Sequence, residues 1–412
     1  MYARAKDLIL TANVRSSDKA DVDQAIELLN QAVGRDPSFF DAYCQLASAH
    51  GFLYFIGFDH TSARLALAEA AVEAAARLRP DAGETHLARA RILYQGHSDY
   101  NGALAELELA RQTLPNDSRI YQLMGFIQRR QKDRYEESTR TLEHALDLDP
   151  RNLLTLNQIA AYNYRRLKRY ADAKSAWDRL LAIRPDDNNA RAGRASVDLD
   201  WKADTRPLHQ TIDSIRATNP DTLQTVSDSW LLCALAERDA DSAKSALIAA
   251  GEKPISPSNE NVLFSRQYME GVIAQMTHDD AAARSAFTAA RAEQEKVVQT
   301  QSSFGPAVCV LGLIDAGLGR KEEAIREGHR AIELLPVEKD LPVGMDMIKY
   351  LAMIAAWAGD KDLACEQLAV AISGPSGLSY GELKLLPFWD PLRGDPRFEK
   401  IVEEAKRPVA LK

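Results

Sequence analysis

Residues 121–150, YQLMGFIQRRQKDRYEESTRTLEHALDLDP, hold two apolar patterns separated by a charged run and end on Pro150. Ala145, Leu142 and Ser138 lie five, eight and twelve residues before that proline. Their mutual offsets of three, four and seven mark one face of an α-helix. Small residues at the ends of this face admit a neighbouring helix, and the large one between them fills the gap. Gly125, in the earlier run, offers the same close approach from a second helix. Proline lacks a donor N–H and disfavours the α conformation in the residue before it, so Pro150 ends the second helix. The stretch therefore predicts a helical hairpin.

The hairpin recurs along the chain. Pro80, Pro115, Pro150, Pro185 and Pro220 follow at steps of 35 residues, with Pro37 before them and Pro336 after. The slot five residues before these prolines holds Ala32, Ala75, Ala110, Ala145, Leu180, Ile215 and Ala331. The slot eight before holds Leu29, Val72, Leu107, Leu142, Trp177, Ile212 and Gly328; twelve before stand Ala25, Ala68, Ala103, Ser138, Ala173, Leu208 and Ala324. In the partner helix the small slot reads Ala47, Ala90, Gly125, Ala160 and Ala195, and later Ala234, Gly271, Gly312 and Ala352. About ten units are expected, degenerate between Trp201 and Gly251. Arg89 and Arg194 stand in a slot filled elsewhere by Leu46, Ile159 and Leu311, so their side chains must snorkel or their units pack differently.

A helix pair of about 34 residues with small contact residues in both helices and a terminal proline resembles the tetratricopeptide repeat. Tyr121 to Gly125 followed by Ser138, Leu142, Ala145 and Pro150 carries the resemblance, as do Ala283, Phe287 and Ala290. It implies an all-α, α-α superhelix of about ten hairpins with a C-terminal capping segment. The expected organisation is an N-terminal array over 1–250, a break at 251–260 marked by Pro254 and Pro257, further repeats over 261–375, and a cap over 376–412. The opening YARAKDLI, the aromatic insertion after Ala49 and the tail LPFWDPLRGDPRFEKIV are similar to the repeat region of bacterial signalling proteins. In those proteins the repeats follow a winged-helix, cyclase or kinase domain, often through a TolB-like segment. That likeness implies the docking or sensory module of a larger protein.

Composition narrows the function. With 51 Lys plus Arg against 59 Asp plus Glu, the net charge of -8 disfavours a phosphate-binding face. An RNA-reading pentatricopeptide-like array, of similar period, is the alternative reading and requires a positive field. No phosphate loop, dinucleotide turn, nucleophile elbow or HExxH pair occurs, so no catalytic residue, cofactor or metal is expected. Cys44, Cys233, Cys309 and Cys365 form no CxxC pair and read as small buried hydrophobes. The Met1–Leu10 segment lacks a signal-peptide stretch, and no membrane-spanning segment is expected. Cytoplasmic location is the expectation, with the soluble part of a membrane-anchored protein as its alternative.

What remains is the groove that the first helices of stacked hairpins line. Arg119, Gln122, Phe126 and Arg129 share one side of the fourth unit's first helix; Arg91 and Tyr94 correspond in the third, and Asn157, Tyr164 and Arg165 in the fifth. Arginine grips carboxylates bidentately, asparagine pairs with peptide backbone, and tyrosine gives rigid contact area. The expected partner is thus a protein or peptide, acidic or C-terminal, with homo-oligomerisation left open.

Overall fold

A computed structural model describes residues 1–14, 19–257 and 262–409, the side chains of 10–14 excepted. Its helices are α1 (Tyr2–Val14), α2 (Lys19–Arg35), α3 (Phe40–Phe55), α4 (Ser62–Leu78), α5 (Gly83–His97), α6 (Tyr100–Thr113), α7 (Ser118–Gln128), α8 (Tyr135–Leu148) and α9 (Leu153–Gln158). A π-helical stretch (Ile159–Tyr164) leads to α10 (Tyr170–Ile183), α11 (Asn188–Lys202), α12 (Arg206–Thr218), α13 (Leu223–Glu237), α14 (Ala240–Ala250), α15 (Arg266–Met276) and α16 (Asp280–Thr300). Then come α17 (Gly305–Gly317), α18 (Lys321–Leu334), α19 (Leu341–Ala358) and α20 (Lys361–Ser373). A tail of α21 (Tyr380–Leu385), a 3₁₀ stretch (Pro387–Leu392) and α22 (Pro396–Glu404) closes the chain.

Among the described residues, helices α1 to α8 and α11 to α20 pair consecutively as hairpins, and α10 packs on the π-helical stretch. No β-strand occurs among the described residues, so the all-α helical-repeat fold expected from the proline spacing is the one found. The prolines act as anticipated. Arg79, Leu114, Asp149, Arg184 and Asn219, each preceding one, adopt φ between -145 and -127 with ψ between 56 and 83, outside the α region. Their own N–H groups still close the last helical turn. All the apolar and small slots named above are buried, and the degenerate sixth and seventh units form regular hairpins too. Arg194 snorkels to an ion pair with Asp178.

Acidic residues start several helices. The carboxylates of Asp117, Asp187 and Asp279 accept the N–H of Arg119, Ala190 and Ala282. Asp149 instead accepts from Asn152, whose own side chain takes the Thr155 N–H.

Contacts divide the chain into two compact units, Met1–Gln158 and Ile159–Lys412. Within the first, the first helices α3, α5 and α7 adjoin in series, and α1 also lies against α9. Within the second, α11 adjoins α13 and α17 adjoins α19. The break expected at 251–260 falls inside this second unit. Residues 258–260 lie outside the described residues, and on either side Ile255 and Phe264 exchange two backbone hydrogen bonds of 3.0 and 2.8 Å. Among the described residues one helix, α19, reaches the length and mean hydropathy (1.2) of a membrane span, yet 89% of it is buried among its neighbours, as in a core helix.

Candidate functional site

The first unit holds seven of the residues expected to line a groove, and it separates them into structural and accessible sets. Tyr94 is buried on α5: it packs on Phe55 and Tyr100, and its hydroxyl accepts from Arg130 Nε at 3.0 Å. Gln122 is buried on α7 and donates to Thr155 Oγ1 at 2.6 Å, tying the fourth unit to the fifth. Arg129 is buried as well; it stacks over Phe126 and donates to Gln158 Oε1 at 2.8 Å. These three side chains are fastenings between helices rather than an open grip. Asn157 on α9 and Phe126 are partly buried.

Arg119 and Arg91 behave differently. Arg119 is exposed and forks onto Asp117, the carboxylate that also caps its own helix. That hydrogen bond holds its guanidinium above the ordinary value. Arg91, one repeat back on α5, is partly buried and has no carboxylate within ion-pairing distance among the described residues. Burial first, then the positive field of Arg119, pulls it down to about 10, so it still carries its charge at neutral pH. Tyr2 of α1 lies in the field of the same Arg119, alongside Asp41 and Cys44.

Tyr164 and Arg165 belong to the second unit, and here the expected register fails. Residues 159–164 wind as a π-helix, with Arg165 N–H bonding to Ala160 O and Arg169 N–H to Tyr164 O, five residues back. A five-residue turn breaks the three-and-four spacing on which the fifth-unit alignment rested. Tyr164 is consequently buried beneath the guanidinium of Arg169. Arg165 pairs with Asp200, one repeat further on; burial opposes its charge, and the Asp200 carboxylate more than offsets this, raising it. The same carboxylate accepts from Ser379 Oγ at 3.0 Å.

That last bond belongs to the tail, which covers the first-helix face of the second unit. At Gly381 an added Cβ would fall 1.7 Å from Leu199 O, so only glycine lets α21 lie this close to α11. Asp390 takes a bidentate pair from Arg238 at 2.6 and 2.7 Å, and Trp357 Nε1 donates to Phe388 O at 2.9 Å. Arg166, after the π-helical stretch, reaches Asp346 on α19 at 3.1 Å and Pro375 O at 3.0 Å. A small, largely apolar cleft remains beside Phe264, Met269, Tyr350, Met353 and Phe388.

Stacked hairpins that bury small residues at a fixed period define a helical-repeat protein. The unit itself is named over residues 118–152, which match the tetratricopeptide repeat, so this stretch of the chain is a repeat of that type. Among solved structures it is similar to a tetratricopeptide repeat protein from Parabacteroides merdae, at 17% identity and a TM-score of 0.43, over 65% of this chain and 98% of that one. Yeast Tom70 matches at 12% identity and 0.41, over 94% and 86%. Human IFIT1, solved as a dimer with m7Gppp-AAAA, matches at 14% and 0.44, over 77% and 68%. No curated protein sequence matches the chain.

Proposed function

We propose that the chain is a non-catalytic scaffold that binds an acidic segment of a partner protein along the first unit. The observation that carries this reading is Arg91: a partly buried, charged guanidinium next to a second arginine and without a carboxylate of its own. A buried cation lacking a counter-charge is destabilising, and an incoming carboxylate relieves it through charge-assisted hydrogen bonds. Arg119, paired with the adjacent Asp117, adds a second, exposed guanidinium, and Phe126, further along α7 beneath Arg129, supplies a partly buried ring. On the likeness of its opening, its aromatic insertion and its tail to bacterial signalling proteins, the scaffold serves as a docking module in the cytoplasm.

The test is fluorescence anisotropy of the full chain with labelled acidic peptides, their amidated neutral counterparts and single-stranded RNA. Arg91→Met keeps the aliphatic stem and removes the charge. We expect it to weaken acidic-peptide binding at least tenfold, about 1.4 kcal/mol, while the thermal midpoint holds or rises because an uncompensated charge has gone. Binding of amidated and acidic peptides alike would refute the reading. Retention of RNA alone would put the pentatricopeptide-like alternative in its place.

A further inference from the structure

The second unit contains a cluster that the repeat does not require. His209 sits on the outward side of α12, and Cys233 and Glu237 sit one turn apart on the adjoining α13. The ligating atoms of these three side chains lie within 4.8 Å of one another. His209 Nδ1 is 2.8 Å from Glu237 Oε2, and its other ring nitrogen, Nε2, is 3.3 Å from Asp213 Oδ2, one turn further along α12. Asp213 is in turn held by Arg216 at 3.4 Å.

We propose that His209, Cys233 and Glu237 form a binding site for a divalent zinc-class metal ion, with Asp213 orienting the histidine. Three features support it. Thiolate, imidazole and carboxylate form the mixed donor set that suits zinc, whereas calcium and magnesium take oxygen alone. One imidazole nitrogen faces the ligand cluster while the other meets a carboxylate, the outer-shell arrangement that fixes the tautomer of a metal-bound histidine. Charge also balances, because the Cys233 thiolate and Glu237 carboxylate together match a dication.

Donors about 2.0–2.3 Å from a tetrahedral ion stand roughly 3.5 Å apart, so the widest pair closes by about 1 Å on binding. The Cys233 thiol is buried and binds a metal only on giving up its proton. Binding releases that proton to water as the sulfur–metal bond forms. With its side chain half exposed, His209 leaves a fourth position to water, the coordination of a reactive or exchangeable site rather than a closed structural one.

The test uses the full chain, stripped with a chelator, then dialysed against zinc alone and titrated with cobalt as a spectroscopic substitute. We expect one zinc per chain, and with cobalt a tetrahedral visible spectrum with a thiolate charge-transfer band in the near ultraviolet. Cys233→Ser should lose that band and weaken zinc binding at least tenfold, whereas Cys309→Ser should change neither. Asp213→Asn alters a half-exposed side chain and preserves the fold, so it reads the site even if Cys233→Ser misfolds; we expect it to weaken zinc 10–100-fold, roughly the outer-shell effect in zinc proteins. Absence of saturable zinc binding, a charge-transfer band surviving in Cys233→Ser, or wild-type affinity in Asp213→Asn would each overturn the site.

Discussion

Replacing Gly125 by alanine sets two effects of similar size against each other, and the packing decides the sign. Alanine favours a helix interior over glycine by about 0.8–1.0 kcal/mol. At Gly125, however, the new Cβ would lie 2.6 Å from Leu142 Cγ and 2.7 Å from Cδ2. Leu142 is fully buried, and Ser138 donates to the carbonyl of Gly125 at 2.7 Å, so neither α7 nor α8 can yield without loss. Forced enlargement of a packed contact costs about 1–3 kcal/mol, and the strained hydrogen bond is worth about 1 kcal/mol more. Gly125→Ala should therefore destabilise the chain by a net amount of about 1–3 kcal/mol. Gly34, exposed near the end of α2, meets nothing within 4 Å, so Gly34→Ala should instead stabilise by a few tenths to about 1 kcal/mol. The assay is urea unfolding followed by far-ultraviolet circular dichroism, comparing midpoints at constant slope. In a Leu142→Ala background the obstruction is gone, and Gly125→Ala should no longer be harmful. A Gly125→Ala midpoint at or above wild type would refute the placement of the fourth unit's helix contact.

Two further outcomes are expected. Burial, then the charge of Arg64, lowers His50 from 6.5 to about 4, and the neutral ring takes a hydrogen bond from Arg64 Nη1 at 2.9 Å. Since the unfolded chain takes up this proton first, stability is unaffected above pH 6.5 and declines as pH falls from 6.5 towards 4. His50→Gln should flatten that part of the urea-midpoint profile, and identical profiles would exclude His50 as its source. In the second unit, Asp346→Leu strands the buried Arg166 and should cost about 3–5 kcal/mol. Adding Arg166→Met should recover most of that loss in thermal unfolding; a double variant no better than the single would mean that the Arg166 bond to Pro375 O dominates.

Local chemistry determined the scaffold. A proline cannot donate and drives its predecessor out of the α region wherever it occurs, so Pro80 to Pro220 announce helix ends without knowledge of the fold. Burial of Ala145, Leu142 and Ser138 likewise follows from their spacing along one helix. The register of the inner wall did not follow. The π-helical stretch over Ile159–Tyr164 breaks the three-and-four spacing before Arg165, and no residue type in IAAYNY announces it. Partners were equally hidden. Arg165 meets Asp200 across one repeat, Arg166 meets Asp346 across 180 residues, and Ser379 meets Asp200 across 179, distances over which periodicity carries no information. The cluster at His209 shows the same division. Its two one-turn pairs, His209 with Asp213 and Cys233 with Glu237, are written in the chain, but only the packing of α12 on α13 brings them face to face. Charge complementarity acts through space, and packing decided which of these arginines are fastened to internal carboxylates and which, like Arg91, have none within ion-pairing distance among the described residues.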